Sequence, residues 1–518
     1  MKALDASGEL HRSWTGDSRR SGLTQPFRAP KSDTPAWTFA LAIPEGTPRQ
    51  VATGWLLLGL GSLAGAGMFA ILLVLSRTPY VDRYFPWVDF FHTALVVHVD
   101  LSVLVWFLAF AGVFWNLNPV RYGQRWGWIA LAMASAGALV MAGVPFVGAA
   151  QPLMSNYLPV LQDPLFLGGM VVFAAGVALQ LTLSLCWARP IGTVVDGAGA
   201  LRFGINVAAI AAAIALLSFA LSYLGTPRFL DGRAYFERLF WGGGHVLQFV
   251  YAQLAIVAWL CLAASSGVRI PLSPRVVLIL FIWGVLWLFL TPVAYLAYAP
   301  QSAEFHRFFL WLMAFGGSLA AGPIGLALAY GLATAAPAPR GQAPQRAALV
   351  GSVALFGIGG ILGLLINGNN VVVPAHYHGC IVGVTLAFMG MTYELLPRLE
   401  FRTPALRTAV WQLYLYAGGE LLHVVGLAWA GGYGVSRKVA GAAQALHGWQ
   451  ENAAMALMGI GGLVAVAGGV LFVIVCLRAL FGPRTEARHF LALTKFATLR
   501  AYVPRSGRAA SAFDDRDQ

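Results

Sequence analysis

Twelve apolar runs divide this chain, and nothing else in the sequence restricts its fold as severely. They fall at roughly 51–76, 91–116, 126–148, 164–188, 203–225, 239–266, 276–299, 306–334, 348–368, 373–396, 408–430 and 453–480, each about 20 residues or longer, enough to cross the ~30 Å hydrocarbon layer as a helix. The loops between them are short and rich in Gly, Pro and Arg. Only 11% of residues are charged, against about 25% in a soluble domain. The expectation is an all-α, polytopic membrane protein: a polar N-terminal tail over 1–50, a twelve-helix membrane domain over 51–480, and a basic C-terminal tail over 481–518. No internal repeat or second domain is visible, and residues 1–50 lack the early apolar core of a cleavable signal peptide.

The net charge of +13 invites a nucleic-acid reading. The basic residues lie in tails and loops between apolar runs, so the membrane reading is preferred and no nucleic acid is expected. With both tails on one side, that side collects about three quarters of the lysines and arginines. The bias places both termini in the cytoplasm, in the cell's inner (plasma) membrane, and an even number of spans agrees. Cys186, Cys261, Cys380 and Cys476 form no CxxC or CxxCH, which argues against a zinc cluster or covalently attached haem in this chain.

Span ten opens with VVVPAHYHGCIVGVTLAF. Its two histidines, His376 and His378, are two residues apart, so their rings leave a helix about 200° apart. A single metal would want both rings on one face, as at i and i+4. Opposed rings in an apolar wall suit two flat cofactors, one on each side; two histidines hydrogen-bonded within the bundle are the alternative. Intramembrane ionisable residues carry function by default. In the expected topology spans two, six and ten all run from outside to inside. His98, His245, His376 and His378 each sit early in one of them, so all four share one depth in the outer half of the membrane. His92 lies nearer the outer mouth. His423 and His306 also lie outward, as candidates for supporting roles.

With these motifs the chain resembles the catalytic subunit of the haem-copper oxidase superfamily, which includes cytochrome oxidases and nitric oxide reductases. AHYHG matches the family's HxH on span ten, HVDLSVLVWFLAF its span-two histidine, WGGGHVLQF its Gly-His at the start of span six, and GLAWAGGYGVSRKVAG the basic pair outside the last two spans. The fold implied is the twelve-helix bundle of the cytochrome oxidase subunit I type. The resemblance implies His98 and His378 as axial ligands of a low-spin haem, and His376 as proximal ligand of a high-spin haem whose far face stays open to a diatomic gas. The haem type stays open. It implies Arg437 and Lys438 as partners of haem propionates, and His245 as a ligand of a second metal, copper or non-haem iron.

The chain also departs from that family. LTPVAYLAYAPQSAEFHRFF stands where the family has two adjacent histidines. Gln248, Glu304 and His306 are the nearby replacement ligands, and oxygen donors shift preference toward harder iron. Many oxygen-reducing members carry a tyrosine four residues after the span-six histidine; here Phe249 stands there and Tyr251 lies on another face. Tyr295 and Tyr298 on span seven are the substitutes. The glutamate usual in nitric oxide reductases is absent too. Among acids in the spans, Asp100, Glu394 and Glu420 stand out, with Glu420 the best relay candidate, beside His423. These departures lean the reading toward nitric oxide reduction to nitrous oxide, with oxygen reduction to water the alternative and a non-catalytic haem relay or gas sensor the third possibility. With no cysteines for a two-copper site and no c-haem motif, the resemblance implies a partner subunit carrying an outer cytochrome c or cupredoxin domain.

Overall fold

The computed structural model describes residues 38–76, 90–118, 123–147, 150–189, 191, 195–339, 341–437 and 446–482. Most of both expected tails lies outside these residues. Fifteen α-helices are present among the described residues: α1 (Thr47–Ser76), α2 (Phe90–Val99), α3 (Trp106–Leu117), α4 (Gln124–Gly143), α5 (Pro164–Trp187), α6 (Gly197–Gly225), α7 (Gly232–Ser265), α8 (Pro274–Leu286), α9 (Thr291–Ala297), α10 (Ala303–Trp311), α11 (Ser318–Thr334), α12 (Ala343–Leu364), α13 (Val372–Arg398), α14 (Leu406–Gly432) and α15 (Trp449–Phe481).

Three pairs run on as single rods. A π-helical turn, Asp100–Val105, joins α2 to α3, a 3-10 turn joins α8 to α9, and a second π-helical turn joins α10 to α11. Twelve rods result. Eleven of them are long and apolar enough to cross a membrane. The twelfth, α14, has 27 residues and is long enough, but Gln412, Glu420 and His423 interrupt its apolar run. The chain is thus an all-α, membrane-spanning bundle, with one rod less apolar than its sequence position suggested.

Local chemistry fixes where rods begin. Asp163 accepts hydrogen bonds from the Leu165 and Phe166 amides at the start of α5, Asp196 caps α6 through Gly199, and Ser302 caps α10 through Phe305. Each occupies a backbone donor that the helix itself leaves unpaired. Among the described residues the one sheet is a two-stranded antiparallel hairpin between α4 and α5, β1 (Gln151–Leu153) and β2 (Val160–Gln162).

Burial sorts the rods sharply. In their apolar 18-residue stretches, 72%, 89% and 83% of the residues of the rod Phe91–Leu117, α7 and α13 are buried, against 33–50% in the other eight spans. A rod facing lipid keeps one side open, so these three form the centre of the bundle. They are the three rods that carry His98, His245, and the pair His376 and His378. Their packing is aromatic: Phe110 of α3 stacks on Phe388 of α13 with ring centres 4.4 Å apart, and Phe107 meets Tyr251 of α7 edge to face.

Candidate functional site

The start of α13 is pinned from outside the bundle. Asn370 accepts from the Val372 amide, and the Val371 amide donates to Val435, in the segment after α14. From this anchored end His376 and His378 leave toward different neighbours. His376 Nδ1–H donates to the Gly359 carbonyl of α12 at 2.7 Å. Two glycines make room for it. A Cβ on Gly359 would meet the Cys380 amide at 2.5 Å, and one on Gly363 would meet His376 Nδ1 at 2.7 Å. His378 turns instead to α14, with Nδ1 3.6 Å from the Glu420 carboxylate and its ring 4.7 Å from that of His423. His423 is itself held by the Met458 carbonyl of α15.

His98 follows the same pattern on the next rod. Its Nδ1–H donates to the Ala66 carbonyl of α1 at 2.9 Å, and it lies within electrostatic reach of His378 and Glu420. The helix widens into its π-turn two residues later. Such bulges concentrate at functional sites. His98, His376 and His378 therefore have Nδ1 directed at a backbone carbonyl or a carboxylate, as do His423 and His306, and among the described residues none of the five has a protein partner on Nε2; what sets the first three apart is that they lie on the central rods. Metal-ligating histidines are held in this way, because the partner on one nitrogen fixes the ring and leaves the other lone pair for the metal.

His245 is different. Nδ1 lies 2.6 Å from the Trp241 carbonyl of its own helix. A carbonyl only accepts, so the proton is on Nδ1 and the lone pair is on Nε2. That lone pair receives the Tyr157 hydroxyl at 2.6 Å. Tyr157 comes from the loop of the β1–β2 hairpin, and the run of glycines before His245 admits it: a Cβ on Gly244 would lie 2.5 Å from Tyr157 Cβ and Cγ. The other two glycines admit rings as well, Gly242 the Tyr295 hydroxyl and Gly243 the Phe219 ring. Burial, reinforced by the Glu237 carboxylate and opposed by Arg437, pushes the Tyr157 hydroxyl above its ordinary range, so it remains a donor.

The matching family model is that of cytochrome c and quinol oxidase polypeptide I, over residues 50–465. The chain belongs to the haem-copper oxidase subunit I superfamily. Among curated proteins it is similar to an uncharacterized protein of Rickettsia prowazekii (strain Madrid E), 29% identical over 84% of this chain and 96% of the relative. It is also similar to an uncharacterized protein of Aquifex aeolicus (strain VF5), 30% identical over 67% of this chain and 85% of the relative. A haem-copper terminal oxidase solved as a dimer by cryo-EM superposes with a TM-score of 0.65 at 18% identity, covering 85% of each chain. That likeness is one of fold. Membership makes the chain an integral membrane protein of an oxidoreductase family that works with haem.

The remaining expected site residues do not gather. Tyr295 donates to or accepts from Ser222 at 2.7 Å and packs on Phe305 and Phe309, with Phe309 lying between it and His245. Tyr298 ends α9 in an extended conformation and is exposed. His306 stacks across Trp241, ring centres 4.5 Å apart, with Nδ1 on the Ser302 carbonyl. Glu304 is exposed and Gln248 half-buried. Among the described residues no group of three or more His, Cys, Asp or Glu is placed to hold a metal ion. The donors proposed for a second metal therefore do not fit one: His245 has its lone pair occupied, and its neighbours are turned elsewhere or sit at the surface.

Arg437 bonds to two neutral amide oxygens, Asn369 and Asn156, which leaves its charge available to an anion. Lys438 lies outside the described residues. Asp100 is fully buried, and among the described residues neither of its carboxylate oxygens has a hydrogen-bond partner. Glu394 is tied to Gln345 and Arg398.

Proposed function

We propose that this subunit is a dihaem membrane reductase of a diatomic gas, and that the gas is nitric oxide: 2 NO + 2 e⁻ + 2 H⁺ → N₂O + H₂O. The observation that carries the reading is the set of three imidazoles on the central rods, His98, His376 and His378, each with Nδ1 turned to a carbonyl or carboxylate and, among the described residues, no protein partner on Nε2. Two of them, His98 and His378, approach from separate rods and would hold one haem between them. The third, His376, leaves α13 on another side and would hold a second haem by one position only. Bis-histidine ligation gives an electron carrier, and a haem with a free position binds a gas. When bound, the haems supply the one-electron redox chemistry.

The residues of this chain do the rest. Glu420 sets the orientation of His378, Gly359 that of His376, and Ala66 that of His98. Arg437, beside the start of α13, is placed to pair with a propionate through charge-assisted hydrogen bonds. Two haems store two electrons, the number that coupling of two NO molecules requires and half the number needed to take O₂ to water. That count favours NO over O₂. Electrons would arrive at the outer face from a partner subunit bearing a cytochrome c or cupredoxin domain, in a plasma membrane with both termini cytoplasmic.

A second reading has an observation of its own. The hydroxyl of Tyr157 on His245, together with the lack of a three-donor metal group among the described residues, suits a haem electron relay or gas sensor. Purified, haem-loaded subunit given an artificial electron donor separates these. Steady N₂O formation from NO supports the reductase; O₂ consumption without NO turnover reverses the choice of gas; haem reduction and gas binding without turnover favours the sensor.

A further inference from the structure

The outer end of α7 stands in this superfamily fold where a metal site is expected, yet its chemistry is that of a closed hydrogen-bonded cluster. Tyr157 and His245 have ring centres 4.4 Å apart and share a 2.6 Å hydrogen bond. Trp241 packs on both rings and on His306. His245 itself is 1% exposed. An imidazole has one lone pair when neutral, and here Tyr157 takes it. A metal ion would have to displace that hydroxyl and then find at least two more donors, which the described residues do not supply.

The hairpin that delivers Tyr157 is also fastened. The Asn156 side chain donates to Glu237 of α7 at 2.8 Å and accepts from Arg437 at 3.2 Å. Three contacts thus hold one short loop over α7: Tyr157 on His245, Tyr157 against Gly244, and Asn156 on Glu237. The glycine at 244 is required by the second. Such an arrangement is built to keep the tyrosine in place.

We propose that the outer end of α7 holds no metal, and that Tyr157 occupies the coordination position of His245 as a permanent hydrogen-bond partner, so that the loaded subunit carries two haem irons and nothing more. The proposal rests on the dihaem reading and deepens it, since it sets the electron capacity of the chain at two.

The test is metal analysis of the haem-loaded subunit purified from cells supplied with copper and iron, alongside His245→Gln and Tyr157→Phe. Haem is counted separately by its optical spectrum. The expected result is two irons per chain, both accounted for as haem, with copper and further iron below about 0.1 per chain. Both substitutions leave the ratio of total metal to haem unchanged. A third metal in stoichiometric amount that disappears in His245→Gln overturns the proposal while leaving the haems intact. Absence of haem from a folded chain overturns the dihaem reading instead. Should His245→Gln fail to fold, Tyr157→Phe carries the test, because it frees the His245 lone pair: a third metal in the unsubstituted protein refutes the claim whatever this variant binds, and a third metal in the variant alone refutes the claim that the neighbouring residues supply no further donors.

Discussion

Replacing Gly363 by alanine offers a way to disturb one cofactor and spare the other. The glycine lies on α12 directly beneath His376, and the new Cβ would stand 2.7 Å from Nδ1 and 2.8 Å from the neighbouring ring carbon. Ordinary contact begins at 3.4 Å, so the ring must retreat by about 0.7 Å or turn, since repulsion rises steeply inside the contact distance. Either movement strains the 2.7 Å bond to the Gly359 carbonyl. Helix α12 cannot easily yield, because Gly359 and Gly379 already bring the two backbones together. Overpacking of this kind costs about 1–3 kcal/mol, and a lost hydrogen bond about 1 kcal/mol more. Taken from the affinity of the open haem, that is on the order of 30- to 1000-fold. His378 and His98 are turned to α14 and α1 and have no part in the clash. The reduced protein should therefore lose most of its CO-binding spectrum while the bis-histidine spectrum persists. Equal loss of both signals, or full retention of CO binding, would refute the idea that α13 serves two cofactors on two sides.

Four further outcomes follow from the geometry. Glu420→Gln removes the carboxylate beside His378 and should weaken low-spin haem retention by about 10- to 100-fold, read as haem lost on repeated washing in detergent, with CO binding kept. Gly244→Ala should displace Tyr157 and leave His245 Nε2 without its donor, costing about 2–6 kcal/mol from overpacking and an unpaired buried group together, seen as a lower thermal midpoint than that of Tyr157→Phe. Because burial raises Tyr157, the folded chain keeps this proton at a pH where the unfolded chain has lost it. Its contribution to stability is therefore full below the unfolded value near 10 and declines as pH rises beyond it; Tyr157→Phe should flatten that part of the pH–stability profile between pH ~9 and ~11. Asp100→Asn should leave the unfolding midpoint within about 1 kcal/mol of the parent, since no cation or hydrogen-bond donor is lost with the charge; a collapse of the fold would reveal a partner for that carboxylate.

Much of this molecule could be read from residue order. The rods are long and mostly apolar, and the bilayer thickness sets their length, so their positions emerged within a few residues, except that α6 and α7 begin six and seven residues before the apolar runs at 203 and 239. The His376–Tyr377–His378 spacing alone put the two rings on different sides, because helical geometry leaves no other choice. The site around His245 was less legible. A metal ligand and a hydrogen-bonded histidine are the same letter, and what separates them is a tyrosine 88 positions earlier in the chain, on a hairpin with no motif. One signal was present: three consecutive glycines before a buried histidine, in the half of span six that the charge bias puts on the same side as the loop after span three. Glycines in a central helix imply that something bulky approaches it. Span eleven, by contrast, looked ordinary because counting apolar letters ignores that Gln412, Glu420 and His423 lie along one rod.

The same logic explains why α13 can carry the two proposed haem ligands. A helix exposed to lipid has only one protected side, so it can present one buried imidazole. A helix at the centre has protected surfaces all round, and α13, with 83% of the residues in its apolar 18-residue stretch buried, is one of three that do. Two histidines two residues apart can each find an inward-facing carbonyl or carboxylate only on such a helix. The steric cost of surrounding it is met by glycine: Gly359 and Gly379 let α12 close in on one side, and Gly419 and Gly426 let α15 approach α14 behind the other. Moving His378 to position 377 would turn its ring about 100° along the helix, away from Glu420. The Tyr377 side chain, 40% exposed, marks what that direction faces, and no haem could be gripped there together with His98.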